Sequence, residues 1–338
     1  MRIRSFALTL ALAFAGSACV TPQPDQDGPP PVRETVASTG PIDLTQIGNS
    51  QSCEGEVVER GGQTLMALEG GSLITMAPMA INVDGSGKAY HPDNAAGGAI
   101  LHLCNAGQVY LPDGTRYHGS TSNSVCTGKF MDDVKRIGDA GWTDGDVGAV
   151  RWYGIVGRGS ARVSGQTVPR AIPVLQSDGS GFYVSPTTLE NGAFEESDQR
   201  RYVDALTVPH AVVRRDSGVN LGTFGVAIRL KGCGTGRKCD PVPFIVADIG
   251  PKIGEGSVAL SRAVNGLPAT TDIDRSNRFQ GVVGGDDVLW IFFGGDKAPP
   301  PYSAASVAVR GKAAFEAWGG TDRLVRCQRQ TIPVANAN

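Results

Sequence analysis

The chain has 338 residues, 41% of them apolar, 19% charged and 7% aromatic, with a formal charge of −2. That much apolar material fills one large or two small cores, which excludes disorder for most of the chain. The 46 glycines and 21 prolines follow no triplet period, so collagen is excluded and a turn-rich, mostly β protein is favoured. No polybasic block exists, and nucleic acid is not expected as a partner.

Residues 1–18 read as an export signal. Arg2 and Arg4 form a basic start, Phe6 to Ala15 an apolar run, and Gly16-Ser17-Ala18 a small-residue end. The apolar run is too short to span a bilayer, which makes it a cleaved signal rather than an anchor helix. Cys19 follows. One reading makes it a bacterial lipoprotein acceptor, acylated on its thiol and tethering the chain to a membrane. The other is ordinary cleavage after Ala18, which leaves a spare cysteine. Gly16 stands where lipoprotein signals usually carry Leu. Residues 19–46 are Pro-rich and polar (TPQPDQDGPPP) and read as a tether. Residues 47–330 show no comparable break or repeat and read as one domain, with 331–338 a loose tail. Losing the signal takes the charge to about −4.

Without Cys19, six cysteines remain: Cys53, Cys104, Cys126, Cys233, Cys239 and Cys327. Six suit three disulfides in an oxidising compartment. Cys233 and Cys239 are the easiest pair, because KGCGTGRKCD closes on itself; Cys104 with Cys126 and Cys53 with Cys327 then remain. Fifteen pairings exist and spacing does not choose among them. A metal site needs closer cysteine pairs or neighbouring histidines, and none is expected.

Short strands punctuated by Gly, Pro and Asp are expected at 108–111, 150–156, 182–185, 210–213, 223–230, 244–248 and 288–293. Helices are expected at 257–265, opened by a capping serine, and at 303–318. The fold class is therefore mostly β (α+β), with a few packed helices.

The segment FIVADIGPKIGEGS (244–257) carries the chemistry. An apolar strand delivers Asp248 at its end, Gly250-Pro251 breaks the strand, and Gly254-Glu255-Gly256 sets a second carboxylate before a helix. Two carboxylates on a stiffened loop are what glycoside hydrolysis needs. One protonates the leaving oxygen, and the other activates water or attacks the sugar carbon. The apolar strand end should raise one pKa, while N–H groups at the helix start should keep the other group ionised. Seven residues reach roughly 23 Å when extended, so the loop must fold back. Lys252 lies between the acids, either tuning their charge or facing solvent.

These residues resemble glycoside hydrolase family 75, the chitosanases first recognised in fungi. The matching pieces are AINVDGSGKAYHP (80–92), WYGIV (152–156), GFYVSPTTL (181–189), RYVDALTVPHAVV (201–213), FIVADIGPKIGEGSVAL (244–260) and LWIFFG (289–294), with Trp318-Gly319-Gly320 near the end. The resemblance spans about residues 65–325 and implies inverting endo-hydrolysis of β-1,4 glucosamine polymers, with Asp248 and Glu255 as the essential acids. Asn82 stands where the family usually has Asp, whereas Asp84 is retained, and the interval between the two acids is shorter than in fungal members. The strand-Asp-x-Gly-Pro pattern also resembles double-psi β-barrel proteins, such as family 45 endoglucanases and rare lipoprotein A type lytic enzymes. This implies a small six-stranded barrel core.

Asp84, Tyr90 and His91 read either as a sugar subsite, with the ring stacking on a pyranose and Asp84 pairing an ammonium, or as a turn followed by local packing. Trp152 and Trp290 are expected in the core, and Trp142 as the surface platform. His102, His118 and His210 are scattered, and no G-x-S-x-G motif supports a triad. The expectation is an exported, extracellular or periplasmic chitosanase acting on chitosan or a related aminosugar polymer. It needs no metal or organic cofactor, has no protein partner, and meets a membrane through Cys19 if that residue is acylated. The alternatives are a peptidoglycan-cleaving envelope enzyme and a non-catalytic glycan- or partner-binding lipoprotein.

Overall fold

A computed structural model describes residues 52–94, 97–119, 124–231, 240–329 and 332–335. The signal, the tether, Cys19, Cys233 and Cys239 lie outside these residues. Strands β1 (Gly55–Arg60), β2 (Gln63–Leu68) and β3 (Leu73–Asn82) open the fold as a meander. Residues 83–209 then form a long insertion. It carries β4 (Gly107–Tyr110), β5 (Arg116–His118), helix α1 (Phe130–Asp139), β6 (Ala149–Trp152), β7 (Gly157–Val163) and β8 (Gln166–Pro173). The chain returns with β9 (His210–Val213), β10 (Phe224–Arg229), β11 (Val242–Ile249) and β12 (Glu255–Ser257). Helix α2 (Val258–Val264), β13 (Val283–Gly294), α3 (Ala304–Trp318) and α4 (Gly320–Cys327) complete it.

Six strands close into a barrel in the order β3-β12-β9-β11-β10-β13, with β13 pairing back onto β3. The small barrel core expected from sequence is present. The β3–β12 and β9–β11 contacts are parallel and the other four antiparallel. The run Val288–Phe293 shows why the strands read as unbroken apolar stretches. Val288, Trp290 and Phe292 join Met79, Ala211, Phe244 and Val246 in the core of the barrel. Leu289, Ile291 and Phe293 join Ile245 and Ala247 on the other face, under Val307, Phe315 and Trp318 of α3. With both faces covered, a period of two leaves no polar positions.

Ser257 and Ser303 cap α2 and α3, their hydroxyls accepting from Leu260 N and Ser306 N. Two disulfides join Cys53 to Cys327 and Cys104 to Cys126. They suit an oxidising, extracytoplasmic environment. Among the described residues no helix is long and apolar enough to cross a membrane.

The insertion has its own core. Phe130, Val134 and Ile137 of α1 pack with Val109, Val150, Trp152 and the Cys104–Cys126 bridge. Two expected strands differ here. The 150–156 strand stops at Trp152, because Tyr153 N and Gly154 N both turn to the Ala106 carbonyl. Residues 182–185 form only the bridge Leu175↔Tyr183. Their backbone bonds are shared among Tyr90, Val156 and Val174, so no continuous ladder develops.

Candidate active site

The two acids of the 244–257 segment meet across one strand. Val212 of β9 is the register partner of Asp248 on β11 and also of Glu255 on β12. Their backbones are therefore two strand spacings apart, about 9–10 Å. A bulge makes this work. Val246 pairs with Ala211 and Asp248 with Val212, leaving Ala247 as the extra residue. Because side chains alternate, the bulge turns Asp248 to the same face as Val212 and Glu255; in an unbulged ladder it would share Val213's face. Leu189 N donates to the bulged Ala247 carbonyl at 2.8 Å, so the insertion holds the irregularity in place. Gly250 keeps the space clear, since a Cβ there would lie 2.6 Å from Val212 Cγ1 and 3.9 Å from Glu255 Oε2.

Asp248 is buried, and its Oδ1 accepts from Thr188 N (2.9 Å), Thr188 Oγ1 (2.6 Å) and its own following amide, Ile249 N (2.9 Å). Burial pushes its pKa up against these three donors. Glu255 is also raised, first by burial and then by the Asp248 charge, while the Asn82 amide and the Lys252 ammonium oppose the shift. Asp84 is the third member. Burial holds its carboxyl well above the usual range, the charges of Asp248 and Glu255 add to this, and hydrogen bonds from Asn82 and Ser185 oppose it. Burial and the Asp84 charge also lift Tyr153, to about 12. Asp248 and Glu255 both raise Asp84, and Asp248 raises Glu255, so ionising one carboxyl makes the next harder to ionise.

The expected division, with one acid raised and the other kept ionised by a helix start, is corrected on one point. Glu255 is not at the helix start: Glu255–Ser257 pairs as a strand between β3 and β9, and α2 begins at Val258. The backbone N–H donors go to Asp248 instead.

Tyr90 does not offer a stacking face. Its ring is 3% exposed in the insertion core, with its hydroxyl close to where a Cβ on Gly154 would stand and its pKa lifted by burial and then by Asp84. His91 turns to the edge of Phe182 at 4.8 Å and to the backbone of Asp93. Trp142, the expected platform, leans edge-on against Trp152 at 6.0 Å and packs on the insertion core. Trp152 and Trp290 are fully buried. His210 is buried on β9.

Sequence reasoning passed over Thr188, Ser185, Tyr153 and the part played by Asn82. All four lie inside the quoted pieces GFYVSPTTL, WYGIV and AINVDGSGKAYHP, but nothing in the spacing says that three distant pieces converge on Asp248 and Glu255. Among the described residues no group of three or more acidic, histidine or cysteine side chains is arranged to hold a metal ion. No family model matches the chain, and no curated protein matches it.

Proposed function

We propose that this protein is an exported endo-acting glycoside hydrolase that cleaves β-1,4 linkages of chitosan with inversion. The observation that carries the reading is the shared register partner: Asp248 and Glu255 flank Val212 on one face of the barrel. Inversion needs a gap of about 6.5–9.5 Å between carboxyls, wide enough for a water, against about 5–5.5 Å for retention. Backbones two strands apart supply the wider gap without both side chains bending inward.

The surroundings suggest the roles. Asp248 takes all three donors on Oδ1, which supports its ionised form and leaves Oδ2 for a water. It is the base. Glu255, raised by burial and by Asp248, keeps its proton to a higher pH than a free glutamate and gives it to the leaving oxygen. A cleft of three carboxyls and one nearby lysine favours a cationic polymer over a neutral one. Acylation of Cys19 would add a membrane anchor to the exported enzyme.

The test is incubation with purified chitosan and, separately, with peptidoglycan sacculi, following the anomeric form of fresh ends by NMR. The reading expects chitosan ends of inverted configuration. It also expects Asp248→Asn and Glu255→Gln each to lower the rate about 100- to 10,000-fold. New ends from sacculi alone would transfer the chemistry to peptidoglycan. No cleavage of either polymer would favour a binding protein.

A further inference from the structure

We infer that Gln199 is a positioning residue: its side-chain amide bonds both backbone groups of Ser185 and the carbonyl of Gly85, and so fixes the turn carrying Asp84 to the segment that holds Asp248. What that placement does in turnover rests on the hydrolase reading above; the placement itself does not.

Gln199 opens a short helical turn, Gln199–Arg201, whose start is capped by Asp198 accepting from Arg200 N. From there its side chain reaches back into the insertion. Nε2 donates to the Ser185 carbonyl at 2.8 Å and to the Gly85 carbonyl at 2.9 Å, and Oε1 accepts from Ser185 N at 3.0 Å. A backbone N–H only donates and a carbonyl only accepts, so these bonds fix which way the amide points. Both hydrogens of Nε2 are committed. The pair of bonds to Ser185 is what a neighbouring antiparallel strand would supply. The amide stands in for that strand where residues 182–185 form only an isolated bridge.

Gly85 is gripped from its other side as well. Its N–H donates to Ser185 Oγ at 3.3 Å, so the two peptide groups that follow Asp84 are bonded to Ser185 and to Gln199. Gly85 adopts φ +90°, and a Cβ there would lie 2.0 Å from the Val203 carbonyl oxygen; the turn is pressed onto the insertion. A second amide repeats the pattern two residues on, Gln176 Nε2 donating to the Gly87 carbonyl at 2.8 Å and the Tyr183 carbonyl at 3.0 Å. Three residues beyond Ser185, Thr188 gives Asp248 its N–H and its hydroxyl. Between them Thr187 Oγ1 accepts from Val203 N and donates to the Leu189 carbonyl. One short segment, 185–189, therefore holds the Asp84 turn at one end and Asp248 at the other, and Gln199 locks the Ser185 end. Loosening Gln199 frees the turn and leaves the three donors of Asp248 in place.

The test uses Gln199→Met in the full chain, which keeps the length of the side chain and removes its polar atoms. The titratable groups that act on Asp84 or feel it are Asp248, Glu255, Tyr90 and Tyr153. Gln199 is neutral, so a change in Asp84's titration reports position and not a lost charge. Carboxyl-carbon NMR across a pH series, with Asp84→Asn and Asp248→Asn to assign the signals, should show the Asp84 midpoint falling toward the usual carboxylate range by about half a unit or more. The Asp248 midpoint should move less. On chitosan, Gln199→Met should lower kcat/KM about 10- to 100-fold, and lower it less than about twofold in the Asp84→Asn background, because it acts through Asp84. Gln199→Asn, one carbon too short to reach both Ser185 and Gly85, carries the test if Gln199→Met fails to fold. An unmoved Asp84 midpoint in a folded variant, or the same loss of rate in both backgrounds, would overturn the inference. A shifted Asp84 midpoint in a protein that cleaves no chitosan would sink the substrate reading and leave the role of Gln199 standing.

Discussion

Asp84 shows how a single side chain is set by its surroundings. A carboxyl with an unfolded pKa near 4 is held well above that value by burial and then by two acidic neighbours. A raised folded pKa means that the stabilising contribution is complete below about pH 4 and is lost as pH rises through the folded value. At neutral pH the fold either ionises a half-buried, crowded group or keeps its proton against the solvent. Asp84→Asn should therefore raise thermal stability by about 1 kcal/mol or more at pH 7–8 and change it little at pH 4. Calorimetric melting of the two proteins at both pH values tests this; an equal gap at pH 4 and pH 8 would contradict it. Asp248 and Glu255 are raised in the same direction, so this cleft costs the protein stability at neutral pH.

At the level of elements, a bulged strand and a loop from elsewhere in the chain cooperate. The Ala247 bulge aims Asp248, and Thr188 and Leu189 secure the bulge and the carboxyl through bonds to Ala247 O and Asp248 Oδ1. Thr188→Val keeps the shape and the backbone donor but removes the 2.6 Å hydroxyl bond. It should cost about 1.5–3 kcal/mol, as a hydrogen bond to a charged group does, and raise the apparent pKa of Asp248. Denaturant midpoints and the pH–rate profile measure the two effects. An unchanged profile would separate Thr188 from the chemistry. The elements most legible in sequence were β9, β10, β11, β13, α2 and α3, where apolar runs are dense or a serine caps the helix. Helix α1 was not legible, because only Phe130, Val134 and Ile137 supply its buried face in a stretch rich in Gly and Ser. The hairpin β7–β8 was hidden for a related reason: its exposed positions carry Arg, Gly and Ser on β7 and Gln, Thr, Pro and Ile on β8, between single buried residues.

At the level of the whole molecule, one bridge joins the two ends of the described chain. Cys53 lies just before β1 and Cys327 closes α4, 274 residues apart in sequence. Both are buried with Trp318, Leu324 and Phe315 in the core under α3. Closing so long a loop restricts the unfolded chain strongly, and replacing both cysteines with serine should cost about 3–5 kcal/mol. The same change at Cys104 and Cys126, 22 residues apart, should cost about 2 kcal/mol less than that, roughly 3 kcal/mol, by the same argument. Equilibrium unfolding in urea would show the difference; equal losses would mean that local packing, not loop length, decides.

The amino-acid order alone determined the class of fold and the two acids worth watching. Both follow from local rules: apolar alternation and turn residues define strands, and Asp248 and Glu255 stand on either side of a Gly/Pro break. Tertiary structure decided the rest. That Val212 separates the two acids, that a bulge turns Asp248 to their common face, and that Thr188 bonds Asp248 while Asp84 feels both acids are facts about strands and loops far apart in sequence. Burial, which raises all three carboxyls, and charge–charge repulsion, which adds to Asp84 and Glu255, exist only when those segments meet. No spacing along the chain encodes them.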